Sequence, residues 1–310
     1  MQALVTGGAG FIGSHLVDAL LKRGARVVVV DNFSTGKEEN LAHQSGNKAL
    51  TVVRQDICSD LSQLFSEHTL DTVFHLAAIP RVQFSIKYPR EAHQANVEGM
   101  VNVLEHSHQA KVKRFVFSSS SSVYGDQPTL PLTETMPTNP MSPYALHKLI
   151  GEEYCRLYAS LYGMETVSLR YFNVFGPRMD PAGDYACLIP KFISLFLKNE
   201  PPIINGDGEQ TRDFTFIDTV VAANIAAAET TSQELFGSIV NVGTGVETTV
   251  NAVAAMLMPL TGASKATTHG PAVIEPKNTR ADITKLKTIL KVEPGISLED
   301  GCQKTIAALR

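Results

Sequence analysis

The strongest constraint in this sequence is a run of glycines placed where a strand has to become a helix. Ala3-Leu4-Val5 reads as a strand and residues 11–23 carry helical periodicity. The segment that joins them, Thr6-Gly7-Gly8-Ala9-Gly10-Phe11-Ile12-Gly13, fits Gly-x-x-Gly-x-x-Gly through Gly7, Gly10 and Gly13. Such glycines permit a tight turn and let backbone approach a pyrophosphate, whose charge the helix N-terminus meets. Asp31 lies 18 residues beyond Gly13, at the end of the second expected strand. A carboxylate there accepts hydrogen bonds from an adenosine ribose and repels a 2′-phosphate, so NAD is expected rather than NADP. The bland alternative is a glycine turn that only lets helix and strand pack closely. Strand, helix and Asp31 together argue against it.

Short β-branched runs alternate with amphipathic stretches through the first half of the chain, the pattern of βαβ units. Strands are expected at 2–6, 26–30, 50–54, 72–76, 114–118 and 166–171, with crossover helices at 11–23, 90–109 and 144–162. The fold class is therefore α/β, a doubly wound parallel sheet of Rossmann type with a smaller mixed C-terminal lobe. After Tyr171, Pro177, Pro181, Pro190, Pro201 and Pro202 interrupt the alternation. The expected division is an NAD-binding domain over 1–172 and a substrate-binding lobe over 173–310, some of whose elements return to the first domain. Further helices are expected at 218–230 and 249–260. Asp56-Ile57 after the third strand frames an adenine site, and Ala77-Ala78 after the fourth keeps that strand end small beside a dinucleotide.

Charge narrows the partners. With 27 Lys+Arg against 31 Asp+Glu, no broad basic field exists to hold a nucleic-acid backbone. Any anion must be met by a few placed cations and backbone amides. Apolar runs such as 27–30 are strand-length, far short of the ~20 residues that cross a bilayer. Met1 to Val5 runs straight into the glycine turn, with no room for a signal peptide, and a cytoplasmic address is expected. Cys58, Cys155, Cys187 and Cys302 are scattered singly, which points to reduced packing residues and to no metal site.

Tyr144-Ala145-Leu146-His147-Lys148 places a phenol and an ammonium four residues apart, on one face of a helix. A nearby Lys⁺ and a positive nicotinamide both favour phenolate, so the tyrosine pKa is expected to move down toward the range of a general base. For a lone Tyr-x-x-x-Lys, an ordinary amphipathic helix would be the better reading. The serines at 118–122, before Val123-Tyr124-Gly125, supply hydroxyls at the carboxyl edge of the sheet and change that balance.

With these segments the sequence resembles the extended short-chain dehydrogenase/reductase family, and within it the NAD-dependent nucleotide-sugar epimerases. The resemblance spans nearly the whole chain. It is carried by residues 6–13, Asp31-Asn32, His75-Leu76-Ala77-Ala78, 118–125, Ser142-Pro143-Tyr144 with Lys148, 170–178, and Asn205-Gly206-Asp207-Gly208 followed by Arg212-Asp213-Phe214. The stretch from Arg170 through Asp180-Pro181 looks most like UDP-glucose and UDP-N-acetylglucosamine 4-epimerases. The resemblance implies Ser120 as the catalytic hydroxyl, Tyr144 as the base and Lys148 as its electrostatic partner. It places Gly7, Gly10, Phe11, Ile12, Gly13, Asp31, Asn32, Asp56, Ile57, Leu76, Ala77, Ala78, Asn96, Ser118, Tyr144, Lys148 and Tyr171 beside NAD. Asn173 and Arg212 match contacts to the substrate pyrophosphate, with Ser120, Tyr144 and Thr279 near the sugar. Arg suits a phosphate through its bidentate fork. Asn173 could equally cap a turn, Arg212 could pair with Asp213 or another carboxylate, and Asn96 could satisfy local backbone. A homodimer through helices 90–109 and 144–162 is expected from the family.

The sequence departs from that pattern in three places. Ala272-Val273-Ile274-Glu275 stands where many relatives carry Arg-x-Gly-Asp, which removes one phosphate arginine and leaves Lys277 as a nearby substitute. Thr279 occupies a position often aromatic in enzymes restricted to plain hexoses, and its small side chain predicts entry of UDP-N-acetylhexosamines as well as UDP-hexoses. Ile79-Pro80-Arg81 replaces a stretch that carries lysine in some epimerases. Two rivals on the same scaffold, a 4,6-dehydratase and a UDP-glucuronate decarboxylase, need acids where Ser121-Ser122 stand. A UDP-glucuronate epimerase stays open as an alternative. A non-catalytic NAD sensor has no need of Ser120, Tyr144 and Lys148.

Overall fold

The computed structural model describes residues 1–182, 187–273 and 275–310. Its centre is a parallel sheet of seven strands: β1 (Gln2–Thr6), β2 (Arg26–Asp31), β3 (Leu50–Arg54), β4 (Thr72–His75), β5 (Arg114–Ser120), β6 (Glu165–Tyr171) and β7 (Ser238–Val242). They lie in the order β7-β6-β5-β4-β1-β2-β3. Strand order reverses at β1, between β2 on one side and β4 on the other. Connections leave that point in opposite directions and open a crevice at the carboxyl ends of the strands. Helices cover both faces, so the apolar runs divide by side-chain parity. Val27 and Val29 pack into one core with Leu16 and Val116, while Val28 and Val30 pack into the other with Val73 and Phe115.

Helix α1 (Phe11–Lys22) follows the glycine turn, α2 (Gly99–Gln109) precedes β5, and α3 (Pro143–Tyr162) precedes β6. The α3 boundaries follow from its sequence. Ser142 accepts a hydrogen bond from Ala145 N, Pro143 stands in the first turn, and Gly163 ends the helix at φ 67°.

The helix expected over 90–109 is broken. Pro89–His93 is α-helical, Gln94–Glu98 forms a π-helical turn, and α2 follows. Asn96 sits in that turn with its amide on the backbone of Ile79. The wide turn is thus tied to the loop after β4. Strand β7 was not expected, because the strand-helix alternation lapses after Tyr171. Its segment Ser-Ile-Val-Asn-Val becomes a strand by pairing with β6 from Ser238↔Val167 to Val242↔Tyr171. Helix α4 (Ile217–Glu229) lies against α1. The remaining C-terminal elements include pairs of short strands and the helices Leu188–Leu197, Val250–Thr261, Thr284–Thr288 and Leu298–Leu309. Among the described residues no helix is long and apolar enough to cross a membrane.

Candidate active site

A cleft of about 1340 Å³ runs along the carboxyl ends of the strands and on to the C-terminal lobe. That exceeds the ~300–1,000 Å³ of an ordinary single-ligand pocket. Its floor is the glycine turn. Gly7 holds φ 69°, and a Cβ on it would sit 2.8 Å from the backbone of Ala77; a Cβ on Gly13 would sit 2.2 Å from Gly7 O. Side chains at these positions would close the cradle. Gly10 begins α1 without a side-chain cap, which leaves first-turn N–H groups for a diphosphate. Asp31, buried at the end of β2, accepts from Ala9 N at 2.9 Å and from Phe33 N at 2.8 Å. A Cβ on Gly36 would lie 2.8 Å from both its oxygens, so only glycine fits against that carboxylate. These features fit the diphosphate and adenosine ribose of NAD.

Of the other residues expected beside the cofactor, all but one line the cleft. Phe11, Ile12, Asn32, Asp56, Ile57, Leu76, Ala77, Ala78, Ser118 and Tyr171 all line the cleft. Asn32 donates to Asp56 at 2.9 Å, and the backbone N–H of Cys58 holds the Asp56 carboxyl below its usual range. Asn96 is buried and does not line the cleft. Both polar atoms of its amide engage Ile79, Oδ1 accepting from N at 2.7 Å and Nδ2 donating to O at 3.2 Å. Its part is to shape the cleft wall through Ile79. Cys58 and Cys187, expected as packing residues, line the cleft, whereas Cys155 and Cys302 are buried.

Ser120, Tyr144 and Lys148 meet where β5 ends under the first turns of α3. The approach depends on Gly151, since a Cβ there would lie 2.3 Å from the ring of Phe117. Lys148 is buried, donates to Ser118 O at 2.7 Å, and holds its ammonium 5.9 Å from the centre of the Tyr144 ring. Burial pulls Lys148 down to about 8, opposed by Glu152 one turn further along the helix. Tyr144 hydrogen-bonds Ser120, yet burial pushes its phenol up to about 12. The expected lowering of Tyr144 by Lys148 is therefore not supplied by the protein's own groups. Removal of the phenolate from water outweighs the hydrogen bond.

Beneath this site Ser119 donates to Glu152, which also takes Arg170 Nε at 2.8 Å and Nη2 at 2.7 Å. Ser118 Oγ meets Tyr171 OH at 3.0 Å, and Asn224 of α4 donates to that phenol at 2.8 Å. Neither Glu152 nor Asn224 was legible as a site support. Glu152 had a signal in its position four residues after Lys148, but Asn224 is brought in only by the fold.

At the far end, Asn173 (φ 25°), Arg212 and Thr279 line the cleft. Arg212 pairs with Glu275 at 3.0 Å, not with Asp213. The Asp213 carboxylate is fully buried and accepts from the N–H groups of Thr244, Gly245 and Ala281, which ties the loop carrying Thr279 to this lobe. Lys277 does not line the cleft; its backbone bonds Asp126, Thr211 and Arg212. Ile274, in the segment that replaces the expected arginine, lies outside the described residues.

Residues 3–243 match the family model described as the NAD dependent epimerase/dehydratase family. A protein named putative UDP-glucose 4-epimerase from Methanocaldococcus jannaschii is 40% identical, over 98% of this chain and 96% of its own. The structure of UDP-N-acetylglucosamine 4-epimerase from Methanobrevibacter ruminantium M1, in complex with UDP-N-acetylmuramic acid, superposes with a TM-score of 0.94 at 36% identity, over 99% of this chain and 97% of that one. That of UDP-glucuronic acid 4-epimerase from Bacillus cereus, in complex with UDP-glucuronic acid and NAD, does so at 0.92 and 37%, over 100% and 99%. With its glycine cradle, its buried Asp31 and a match that covers most of its length, the chain belongs to the NAD-dependent epimerase/dehydratase family and uses NAD as its cofactor.

Proposed function

We propose that the protein interconverts UDP-hexoses at C4 and accepts the 2-acetamido sugars UDP-N-acetylglucosamine and UDP-N-acetylgalactosamine as well as UDP-glucose and UDP-galactose. The observation that carries this reading is the grouping of Ser120, Tyr144 and Lys148 in one cleft with serines, not acids, at 121 and 122. Bound NAD supplies the hydride acceptor and donor for C4 and a positive charge beside the phenol. Tyr144 takes the proton of the sugar 4-hydroxyl, with Ser120 hydrogen-bonded to the same centre, and returns it once the 4-keto sugar has presented its other face. Lys148 stabilises the phenolate and is fixed by Ser118 O. A dehydratase or decarboxylase would need a further acid beside this pair.

For the sugar end, Thr279 supports entry of the 2-acetamido group. It is small, buried, lines the cleft, and its Oγ1 has no hydrogen-bond partner among the described residues. Arg212 and Asn173 are assigned to the substrate diphosphate. The test is a side-by-side assay of UDP-glucose, UDP-N-acetylglucosamine and UDP-glucuronate with separation of C4 epimers. Turnover is expected with the first two, and turnover of UDP-glucuronate alone would replace this reading with the uronate one. Thr279→Tyr is expected to lose the N-acetylated substrate selectively. Equal loss on UDP-glucose would show that Thr279 does not gate the 2-substituent.

A homodimer is supported by an apolar stripe on the outer face of α3, where Leu146, Tyr154, Leu157 and Leu161 are exposed, Leu161 by 66%. Light scattering is expected to give twice the 33.6 kDa chain mass, and Leu161→Glu to give the monomer. A monomeric wild type would remove the proposal.

A further inference from the structure

The cation at the substrate end of the cleft already has a counter-ion. Arg212 Nη1 donates to Thr211 O at 2.7 Å and to Lys277 O at 3.1 Å, while Nη2 lies 3.0 Å from Glu275 Oε2. The two carbonyl bonds fix the guanidinium, and its side chain is only 12% exposed. Glu275 is the outward partner at 40% exposure, and both residues line the cleft. The backbone that follows Glu275 is tied down: Lys277 N donates to Asp126 at 3.1 Å and Thr279 N to Thr211 O at 3.2 Å. The other nearby carboxylate, Glu247, is directed to Thr211 Oγ1 at 2.8 Å and toward Arg280 at 3.6 Å. A diphosphate that reaches Arg212 therefore competes for Nη2 with a carboxylate as well as with water.

We propose that Glu275 is a positioning residue that competes with the nucleotide diphosphate for Arg212, setting how tightly the UDP-sugar is held. This rests on the assignment of Arg212 to the diphosphate. A diphosphate displaces a single carboxylate because it brings more negative charge and more acceptor oxygens to the Nη2 donors. The displaced carboxylate then stands beside the phosphates and repels them, which favours release of product. Relief of that competition belongs in the affinity for substrate and not in the chemical step.

The test is calorimetric titration of the full chain with UDP, together with KM and kcat for UDP-N-acetylglucosamine. Glu275→Gln is expected to bind UDP about 2- to 5-fold more tightly, the range of a partly exposed charge pair, and to lower KM in proportion without raising kcat. In an Arg212→Gln background, the same substitution is expected to bring no gain. If Glu275→Gln leaves UDP affinity unchanged or weakened while Arg212→Gln weakens it, Glu275 is not a competitor and the assignment of Arg212 stands. If the gain persists in the Arg212→Gln background, the route through Arg212 is wrong. If Arg212→Gln leaves UDP binding unaltered, the assignment of Arg212 falls, and Glu275 with it.

Discussion

At the scale of single residues, the site shows how far burial overrides local chemistry. Spacing along a helix places Tyr144 and Lys148 on one face, and from that alone a lowered phenol follows. In the fold Lys148 is buried and Tyr144 half-buried, and each moves against its charged form, Tyr144 up to about 12 and Lys148 down to about 8. The phenol therefore depends on charge brought in with the cofactor. In the proposed mechanism Tyr144→Phe removes the proton carrier while leaving the glycine cradle and Asp31 intact. It is expected to retain NAD, measured on the purified protein, and to lose epimerisation by about 10²- to 10⁴-fold. Turnover at the wild-type rate would mean that another group is the base. Asn96 gives the same lesson in reverse. Its residue type suits a ligand, but both polar atoms are taken by Ile79, so it serves the wall of the cleft.

Among elements, the seat of α3 on β5 decides whether Ser120, Tyr144 and Lys148 meet. Gly151 allows that seat, because its missing Cβ is where the Phe117 ring lies. The same ring lies 5.0 Å from the Lys148 ammonium, so helix position and lysine position are linked. Alanine is worth about 1 kcal/mol to a helix over glycine, but forcing a methyl into a packed contact costs about 1–3 kcal/mol. Gly151→Ala is thus expected to lower the urea midpoint and kcat together. A variant with both values unchanged would show that this contact yields without moving Lys148. Helix α3 was legible from its periodicity. The break at Gln94–Glu98 and strand β7 were not, since each depends on a partner distant in sequence, Ile79 for the one and β6 for the other.

For the whole molecule, the near balance of charges becomes a local shortage. Among the cations that line the cleft, Lys37, Arg178 and Arg212 each already face a carboxylate, Asp180 at 3.4 Å, Asp18 at 2.7 Å and Glu275 at 3.0 Å, and the buried Lys148 ammonium is held by Ser118 O. Two diphosphates are to be held with little uncommitted positive charge, which gives backbone amides at the head of α1 a large share of the work. Folding itself is sensitive to acid through His75. That ring is stacked between Phe115 and Phe117 near 6 Å and is held down at about 3 by burial, assisted by the Lys148 charge. The unfolded chain takes up a proton near 6.5 that the folded chain refuses until about pH 3. The contribution of His75 to stability is therefore full above pH 6.5 and is lost at up to about 1.4 kcal/mol per pH unit as pH falls from there toward 3. Urea midpoints are expected to drop between pH 6 and 4, and less steeply in His75→Gln. Equal slopes for the two proteins would place the acid sensitivity elsewhere.

The amino-acid sequence by itself determined the features that depend on neighbours along the chain. These are the glycine turn, Asp31 at its fixed distance, the pairing of Tyr144 with Lys148 on one helical face, and the alternation that makes a parallel sheet. Steric limits on the backbone and the periods of helix and strand act over a few residues, so spacing reports them. Only the tertiary structure decided which side chains lose water and which partner each charge finds. It gave Asn96 to Ile79, Arg212 to Glu275 and Asn224 to Tyr171, and it set the direction in which Tyr144 titrates. Desolvation and ion pairing act through space, between groups whose separation along the chain carries no information about them.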